Sequence, residues 1–161
     1  MSDWGLDGWA VRAGEGLTID TGSPHRPEIL LRGSEVDRAL GAFIFRHAVI
    51  PENPPHAHLD FMKIIYVLDG EYQFRVGSAE FQGGPGTLVV VPRASQHTFT
   101  TATGGRMLFV CSPSGNEELF VEMGKLGPDA TPEQLAELNA RFRTVSLPGD
   151  DGAPWRQMFR P

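Results

Sequence analysis

The sequence predicts an all-β barrel or sandwich followed by short α-helices, and three observations lead to this prediction. Glycine (19) and proline (13) are abundant, and they separate short runs that are rich in β-branched and aromatic residues. These runs recur at even spacing without helical patterns between them, which favours antiparallel pairing. Only from Asn116 onwards does the apolar spacing change to that of a helix.

Eight strands are predicted along the chain. They cover residues 28–31, 42–49, 62–68, 71–76, 79–81, 87–91, 97–101 and 106–112. The Asp69-Gly70 step between the third and fourth strands is the strongest short hairpin signal in the sequence. Further turns are expected at Gly77-Ser78 and over residues 83–86, which read Gly-Gly-Pro-Gly.

Two helices are predicted after the strands. Apolar residues recur at helical spacing over residues 116–126, with Asn116 as the expected N-cap. The Thr-Pro-Glu-Gln sequence at 131–134 supplies an N-cap, a first-turn proline and a capping-box glutamine for a second helix, which runs to about Phe142. The expected organisation is an N-terminal arm (1–27), a barrel core (28–112), and C-terminal helices with an arm (113–161).

The composition limits the classes of function. A chain of 161 residues, of which 40% are hydrophobic, suits one domain that is large enough to enclose a pocket. A formal net charge of -6 without any basic run argues against nucleic acid or an anionic membrane as a partner. No signal peptide or membrane-length stretch is visible, so the expected location is the cytoplasm. The expected partners are a small-molecule substrate and a second copy of the chain, with apolar contacts from Trp4, Trp9 and Trp155.

Three histidines indicate a small-molecule or metal site. His56 and His58 precede a predicted strand and lie two residues apart, so their side chains point to the same side of an extended segment. His97 follows another strand and a proline turn, and it can reach the same place from a neighbouring strand. Neutral imidazoles bind transition metals well, so the three rings are a candidate metal site.

The two histidine regions resemble the sequence motifs of the cupin superfamily. Residues 56–70, from the His-Ala-His segment to a glycine, follow the first motif, and residues 86–97, from Gly to His, follow the second. The resemblance covers residues 28–112. Flanking segments, including Tyr-Val-Leu-Asp-Gly-Glu at 66–71, are similar to the small bacterial single-domain cupins described as quercetinase-like.

The resemblance implies a double-stranded β-helix, or jelly-roll, barrel with a divalent metal. His56, His58 and His97 would hold Fe(II) first of all, or Mn, Ni, Co or Zn, and a site without metal is the alternative. The activity implied is that of a dioxygenase or a related enzyme acting on a small aromatic or enolisable compound.

Four positions depart from the motifs. Ile50 and Ala94 replace glycines and Thr101 replaces an asparagine, and these changes are tolerable if the backbone avoids positive φ. Lys63 is more consequential, because it stands where the family supplies a metal-binding glutamate. At 4 Å and an effective dielectric of 20, this exchange disfavours a divalent ion by on the order of 15 kcal/mol. A metal therefore requires a lysine that is neutral, at about 5 kcal/mol for an ordinary lysine at pH 7, or one that points elsewhere.

Four further side chains have open interpretations. Asp60 lies two residues after His58, so in an extended segment its side chain points to the same side as those of the two histidines. It then completes the metal site or pairs with Lys63; the alternative is an exposed turn residue. His47 projects into the barrel near that pair or is a core or rim histidine. His25 is expected in a surface loop, and Cys111, in an apolar run, is expected to be a buried thiol rather than a nucleophile.

Three functional hypotheses follow. The first is the metal-dependent enzyme, with Lys63 orienting an anionic substrate or moving a proton, and with His47 and Asp60 as further candidate catalytic residues. The second is a metal-free isomerase, cyclase or lyase in which a lysine of lowered pKa acts as a general base or enolate stabiliser. The third is a non-catalytic module that binds a small ligand.

Overall fold

The computed structural model describes residues 7–20, 25–51 and 53–146, which form two antiparallel β-sheets and two α-helices. The strands are β1 (Leu17–Thr18), β2 (Arg26–Leu31), β3 (Gly41–His47), β4 (His56–His58), β5 (Met62–Gly70), β6 (Tyr72–Val76), β7 (Ala79–Gly83), β8 (Leu88–Val91), β9 (His97–Thr100), β10 (Gly105–Ser112) and β11 (Thr144–Ser146). The helices are α1 (Asn116–Leu126) and α2 (Pro132–Arg141), and a 3-10 turn covers Gly33–Glu35. All eight predicted strands are present, each within two residues at either end.

The two sheets divide the strands in an order that differs from the sequence. One sheet has six strands in the order β1-β2-β3-β10-β5-β8, and the other has five in the order β11-β4-β9-β6-β7. From β3 to β10 the chain changes sheet at every step except the β6–β7 hairpin at Gly77-Ser78. This alternation is the jelly-roll arrangement that the cupin resemblance implies. The sheets also include β1 and β11, which lie outside the expected barrel limits of 28–112.

The expected hairpin at Asp69-Gly70 is wrong. β5 pairs with β10 and β8 in one sheet, whereas β6 pairs with β9 and β7 in the other. Gly70 has a φ of +88°, and a Cβ there would lie 2.1 Å from the carbonyl oxygen of Gly104, so the position requires glycine. The Asp-Gly step is thus a sharp turn between the two sheets, because β5 and β6 do not pair with each other.

The core lies between the sheets and follows the alternation of each strand. In β3, β5 and β10 the odd-numbered residues point inward, as shown by the burial of Phe43, Ile65 and Phe109. The rings of Phe43 and Phe109 stack at 4.9 Å between centroids. Because Lys63 has the same parity in β5, the regular strand carries its side chain into the interior.

The helices close one side of this core. Phe120 of α1 lies 5.2 Å from Phe43 and 5.5 Å from Phe45 between ring centroids. The capping box predicted for α2 is present, since Thr131 Oγ1 accepts from the backbone of Gln134, whose side chain accepts from the backbone of Thr131. Asn116 is the first residue of α1, and Gly115 is its N-cap, one residue before the predicted position.

The backbone at Ala94 was expected to avoid the left-handed region, but it lies in that region, with a φ of +62°.

Trp9 is 59% exposed, whereas Trp4 and Trp155 lie outside the described residues, so dimerisation stays a prediction. Among the described residues, no helix has the length and apolarity needed to cross a membrane.

Candidate metal centre

Strands β4 and β9 bring the three motif histidines together. His56 and His58 are the first and last residues of β4, and His56 lies opposite His97 in the pairing of β4 with β9. Each histidine is only 3% exposed. One ring nitrogen from each histidine lies within 4.8 Å of the other two, so the predicted convergence is confirmed.

The other ring nitrogens are held by hydrogen bonds. Nδ1 of His56 lies 3.2 Å from the carbonyl oxygen of Pro54, and Nδ1 of His97 lies 3.0 Å from that of Ser95. A carbonyl oxygen only accepts, so both rings carry their proton on Nδ1 and have a lone pair on Nε2. The third ring, His58, has its Nδ1 3.0 Å from Oγ1 of Thr144. Such contacts fix the tautomer and orientation of metal-binding imidazoles.

Burial keeps the three rings neutral. It lowers the pKa of His56 to about 3, with a further contribution from the charge of Lys63. The pKa values of His58 and His97 are also held well below the ordinary range, first by burial and then by Lys63. Neutral imidazole is the form that binds a metal ion, so protons do not compete for this donor set at pH 7.

Lys63 completes the cluster. It is 4% exposed, and its Nζ lies 3.2 Å from Nε2 of His97 and 5.7 Å from the centre of the Phe109 ring. The lysine therefore does not point away from the site. Burial lowers the pKa of Lys63 to about 8. Holding this amine neutral at pH 7 costs only about 1–2 kcal/mol, compared with about 5 kcal/mol for an ordinary lysine.

The residues present fit a divalent ion once Lys63 is neutral. Three neutral imidazoles on rigid strands are a donor set that Fe, Co, Ni and Zn accept, and the hydrogen bonds to Nδ1 place the lone pairs of His56 and His97 on Nε2. The cost of deprotonating Lys63 is small beside the roughly 10–16 kcal/mol that a structural zinc site gains. The lysine weakens metal binding without excluding it.

Asp60 does not join the three histidines. Its carboxylate lies 2.6 Å from Nη1 of Arg143, and the two side chains are 45% and 60% exposed. Of the three interpretations, the exposed turn residue is therefore the one found, since Asp60 forms a surface ion pair and neither completes the three-histidine group nor pairs with Lys63. The parity argument fails because β4 ends at His58 and a bend follows.

His47 points into the barrel but joins a different cluster. Its Nδ1 lies 3.2 Å from the hydroxyl oxygen of Tyr72, and its ring lies 6.3 Å from that of His25. Within β3, His47 pairs with Gly105 at the start of β10, whereas Lys63 pairs with Cys111 near the end of that strand. His47 is thus near the opposite end of the sheet from Lys63.

The prediction that His25 lies on the surface is wrong. It is 4% exposed instead of lying in a surface loop, and its Nδ1 accepts a hydrogen bond of 3.3 Å from the backbone of Ala48. Pairing of β2 with β3 places this residue over the core, which the two flanking prolines do not reveal.

Cys111 is buried as predicted, and burial raises the pKa of its thiol to about 12, so it is not a nucleophile at neutral pH.

Two residues beside the site were not found from the sequence. Thr144 reaches His58 from 86 positions along the chain, and no local pattern indicates that β11 pairs with β4. The ring of Phe61 stacks on that of His58 at 4.7 Å, and it could have been found as a large apolar residue beside the motif.

A cavity of about 480 Å³ is lined in part by Phe61, whose ring stacks on that of His58. Its walls also include Arg32, Arg38, Arg141, Phe142 and the start of α1. Arg32 is held by Glu118 at 2.7 Å and Arg141 by Glu122 at 2.9 Å. Arg38 is exposed and forms no ion pair within the described part of the chain.

Comparisons with known proteins support the fold. Residues 46–113 match the sequence family described as Cupin_2, Cupin domain. No curated protein matches the chain. Among solved structures, an RmlC-like cupin from Shewanella frigidimarina NCIMB 400 is similar at a TM-score of 0.56 and 22% identity, covering 65% of this chain and 89% of that chain.

Two further solved structures are similar. KdgF from Halomonas sp. has a TM-score of 0.60 and 18% identity, covering 70% of this chain and 99% of that chain. The polyketide cyclase RemF from Streptomyces resistomycificus has a TM-score of 0.56 and 21% identity, and the match covers 67% of this chain and 81% of that chain. At these identities the similarities concern the fold, and the fold is the all-β cupin barrel with short C-terminal helices that the sequence predicts.

Proposed function

We propose that this chain, whose barrel has the cupin fold, is a small-molecule enzyme that binds a divalent metal through His56, His58 and His97. The observation that carries the proposal is the convergence of three buried, neutral imidazoles whose other nitrogens are already hydrogen-bonded. A set of core histidines without a ligand has no need for three ring nitrogens within 4.8 Å of one another.

The reaction class proposed is that of a dioxygenase or a related enzyme. Fe(II) is the first choice of metal because of the resemblance to quercetinase-like cupins, and Mn, Ni, Co or Zn suit the same nitrogen ligands. When bound, such an ion supplies Lewis-acid activation of the substrate and, for a redox metal, access to oxygen chemistry.

The surrounding residues provide a dry site with one mobile proton. Phe61, Phe109 and the buried rings exclude water, because the three histidines and Lys63 are each no more than 4% exposed. With a pKa of about 8, Nζ of Lys63 holds a proton that it can give up near neutral pH. When no ion is bound, the Lys63 ammonium next to the histidines also orients an anionic or enolisable substrate.

The cavity beside Phe61 is the proposed binding space for the substrate. Its volume of about 480 Å³ suits a small organic molecule, and Phe61 and Phe142 offer aromatic surface. Arg38, which has no carboxylate partner among the described residues, suits a negatively charged group on that molecule. The substrate proposed is therefore a small aromatic or enolisable acid.

Metal content tests the proposal. Protein purified without chelator from medium supplemented with Fe, Mn, Co, Ni and Zn should hold about one ion per chain, whereas His56→Ala should hold almost none. Trp9→Ala, at an exposed residue that is not one of the three histidines, serves as the control and should keep the ion. A wild-type protein that neither retains nor takes up any of these metals would overturn the metal-dependent function.

A second function is favoured by the contact between Lys63 and His97. The amine at 3.2 Å from Nε2 of His97 offers a general base or an enolate stabiliser without any metal. The solved structure of RemF is named a polyketide cyclase, which gives an enzyme of this fold with a cyclisation activity. If turnover survives chelation and Lys63→Met abolishes it, the metal-free isomerase, cyclase or lyase is the correct function.

A further inference from the structure

We infer that the C-terminal strand β11 is part of the three-histidine site and that Thr144 is a positioning residue for His58. The inference rests on the proposed metal site, since it concerns the ring that would bind the ion. It assigns a role to a segment that lies outside the matched region of residues 46–113.

The three rings are not held in the same way. His56 and His97 are each fixed by the backbone carbonyl two residues earlier, Pro54 and Ser95, so their own strands orient them. His58 is held instead by the hydroxyl of Thr144, 3.0 Å away and 86 positions later in the sequence. Both partners are buried, at 3% and 8% exposure.

Strand β11 also anchors the strand that carries two of the ligands. All three residues of β4 pair with β11, in the register His56 with Ser146 and His58 with Thr144, whereas only His56 pairs with β9. The backbone of Leu59 donates to the carbonyl oxygen of Arg143 at 3.2 Å. The short ligand strand β4 therefore takes most of its backbone pairing from the C-terminal segment.

The hydroxyl of Thr144 can accept a hydrogen bond from Nδ1 of His58 and so stabilise the tautomer that is protonated there. A ring that binds an ion through Nε2 must be protonated on Nδ1, so Thr144 must accept this hydrogen bond. Valine has the same shape but no acceptor, and it leaves Nδ1 without that partner. The variant should then favour the other tautomer, whose Nε2 carries a hydrogen and cannot bind a metal.

Metal affinity tests the inference on the full-length chain. Wild type, Thr144→Val, Thr144→Ser and Thr101→Val are titrated with Zn(II) and Co(II) in competition with a chromogenic chelator. Thr144→Val should bind about 10–100-fold more weakly, and Thr144→Ser should stay close to wild type because it keeps the acceptor. Thr101 is also buried, and its hydroxyl bonds to the loop at Gly104, so Thr101→Val controls for the loss of a buried hydroxyl.

The Co(II) absorption spectrum gives a second readout, since misorientation of one ligand changes the spectrum even at saturating metal. Equal affinity and identical spectra for wild type and Thr144→Val would overturn the inference. Far-UV circular dichroism and the melting temperature of each variant confirm that the barrel is intact.

Failure of the proposed function is distinguishable from failure of this inference. If wild type binds no metal, the metal centre is wrong, and long-range ¹H–¹⁵N spectra of the histidine rings then test Thr144 directly. His58 protonated on Nδ1 in wild type and on Nε2 in Thr144→Val supports the positioning role. The same tautomer in both proteins refutes it.

Discussion

Nζ of Lys63 lies 3.2 Å from Nε2 of His97, and this Nε2 is the atom through which His97 would bind a metal ion. Nδ1 of the same ring faces the carbonyl oxygen of Ser95, so Nε2 is the acceptor and the lysine is the donor. The protein thus carries a cation of its own next to its candidate metal ligands. Occupation of this site by an ion and protonation of Lys63 exclude each other.

Replacing Lys63 should therefore strengthen metal binding. Lys63→Met removes the competing cation, and Lys63→Glu adds a carboxylate ligand, so affinity should rise in the order wild type, Met, Glu. The step from wild type to Glu should be at least about tenfold, or roughly 1.4 kcal/mol. Chelator competition at pH 7 measures it. A Glu variant that binds no better than the Met variant would mean that this position does not face the ion.

The stability of the protein should depend on the protonation of His47. Burial, with a contribution from the nearby His25, lowers its pKa to about 3, whereas an unfolded chain has the ordinary value of 6.5. Above pH 6.5 the ring is neutral in both states. As the pH falls from 6.5 towards 3, only the unfolded chain takes up the proton, so the stabilisation is progressively lost.

His47→Gln should reduce this acid sensitivity, because glutamine does not titrate and can still bond to the hydroxyl of Tyr72. Between pH 7 and pH 4 the wild type should lose about 3 kcal/mol more than the variant. Urea unfolding at the two pH values gives both differences. The three motif histidines contribute equally to both proteins, so identical losses would count against a neutral, buried His47.

Gly41→Ala should destabilise the fold. A Cβ at this position would lie 2.0 Å from a carboxylate oxygen of Glu117, which is fully buried and accepts hydrogen bonds from the backbones of Gly33 and Gly115. The expected loss is about 2–3 kcal/mol of unfolding free energy. Gly8→Ala is the matched control, because nothing lies within 4 Å of its added Cβ. A Gly41→Ala protein as stable as this control would show that Glu117 is free to move.

Ala94→Gly should stabilise the fold, since Ala94 has a φ of +62° in the turn before His97. Relief of the left-handed conformation is worth about 1–2 kcal/mol, and the greater entropy of glycine in the unfolded chain offsets part of it. The net gain expected is about 0.5–1 kcal/mol by urea unfolding. Ala102→Gly, in an exposed loop without positive φ, should show no gain, and an equal response at both positions would rule out strain at Ala94.

Asp60→Asn should have little effect on either stability or metal binding. The ion pair with Arg143 is largely exposed, and such pairs contribute less than about 1 kcal/mol. Metal content by elemental analysis and the midpoint of urea unfolding are the measurements. Loss of the bound ion in this variant would mean that Asp60 is one of the metal ligands.

Much of the fold was predictable because it depends on local patterns. Short apolar runs between glycines and prolines located all eight predicted strands, and the capping pattern at Thr131 located the start of α2. The three-histidine cluster was predictable for a similar reason. His56 and His58 share a face in any extended segment, and the spacing of the second motif placed His97 on the neighbouring strand.

The errors arose where local patterns have no information about distant partners. The Asp69-Gly70 step forms a sharp turn, but the pairing of β5 and β6 depends on strands that lie in different sheets. His25 is buried because β2 lies against β3, and Asp60 leaves the site because the chain bends after β4.

The sequence by itself determined the barrel, the spacing of the three histidines and the presence of a lysine five residues after the second of them. Only the tertiary structure decided that Lys63 points inward to His97, and that β11 returns to place Thr144 on His58. The physical reason is that strand alternation follows from consecutive residues, whereas burial of an amine and pairing with a distant strand follow from how the whole chain fills its core. These two contacts place an amine on the candidate ligand His97 and a hydroxyl on the candidate ligand His58.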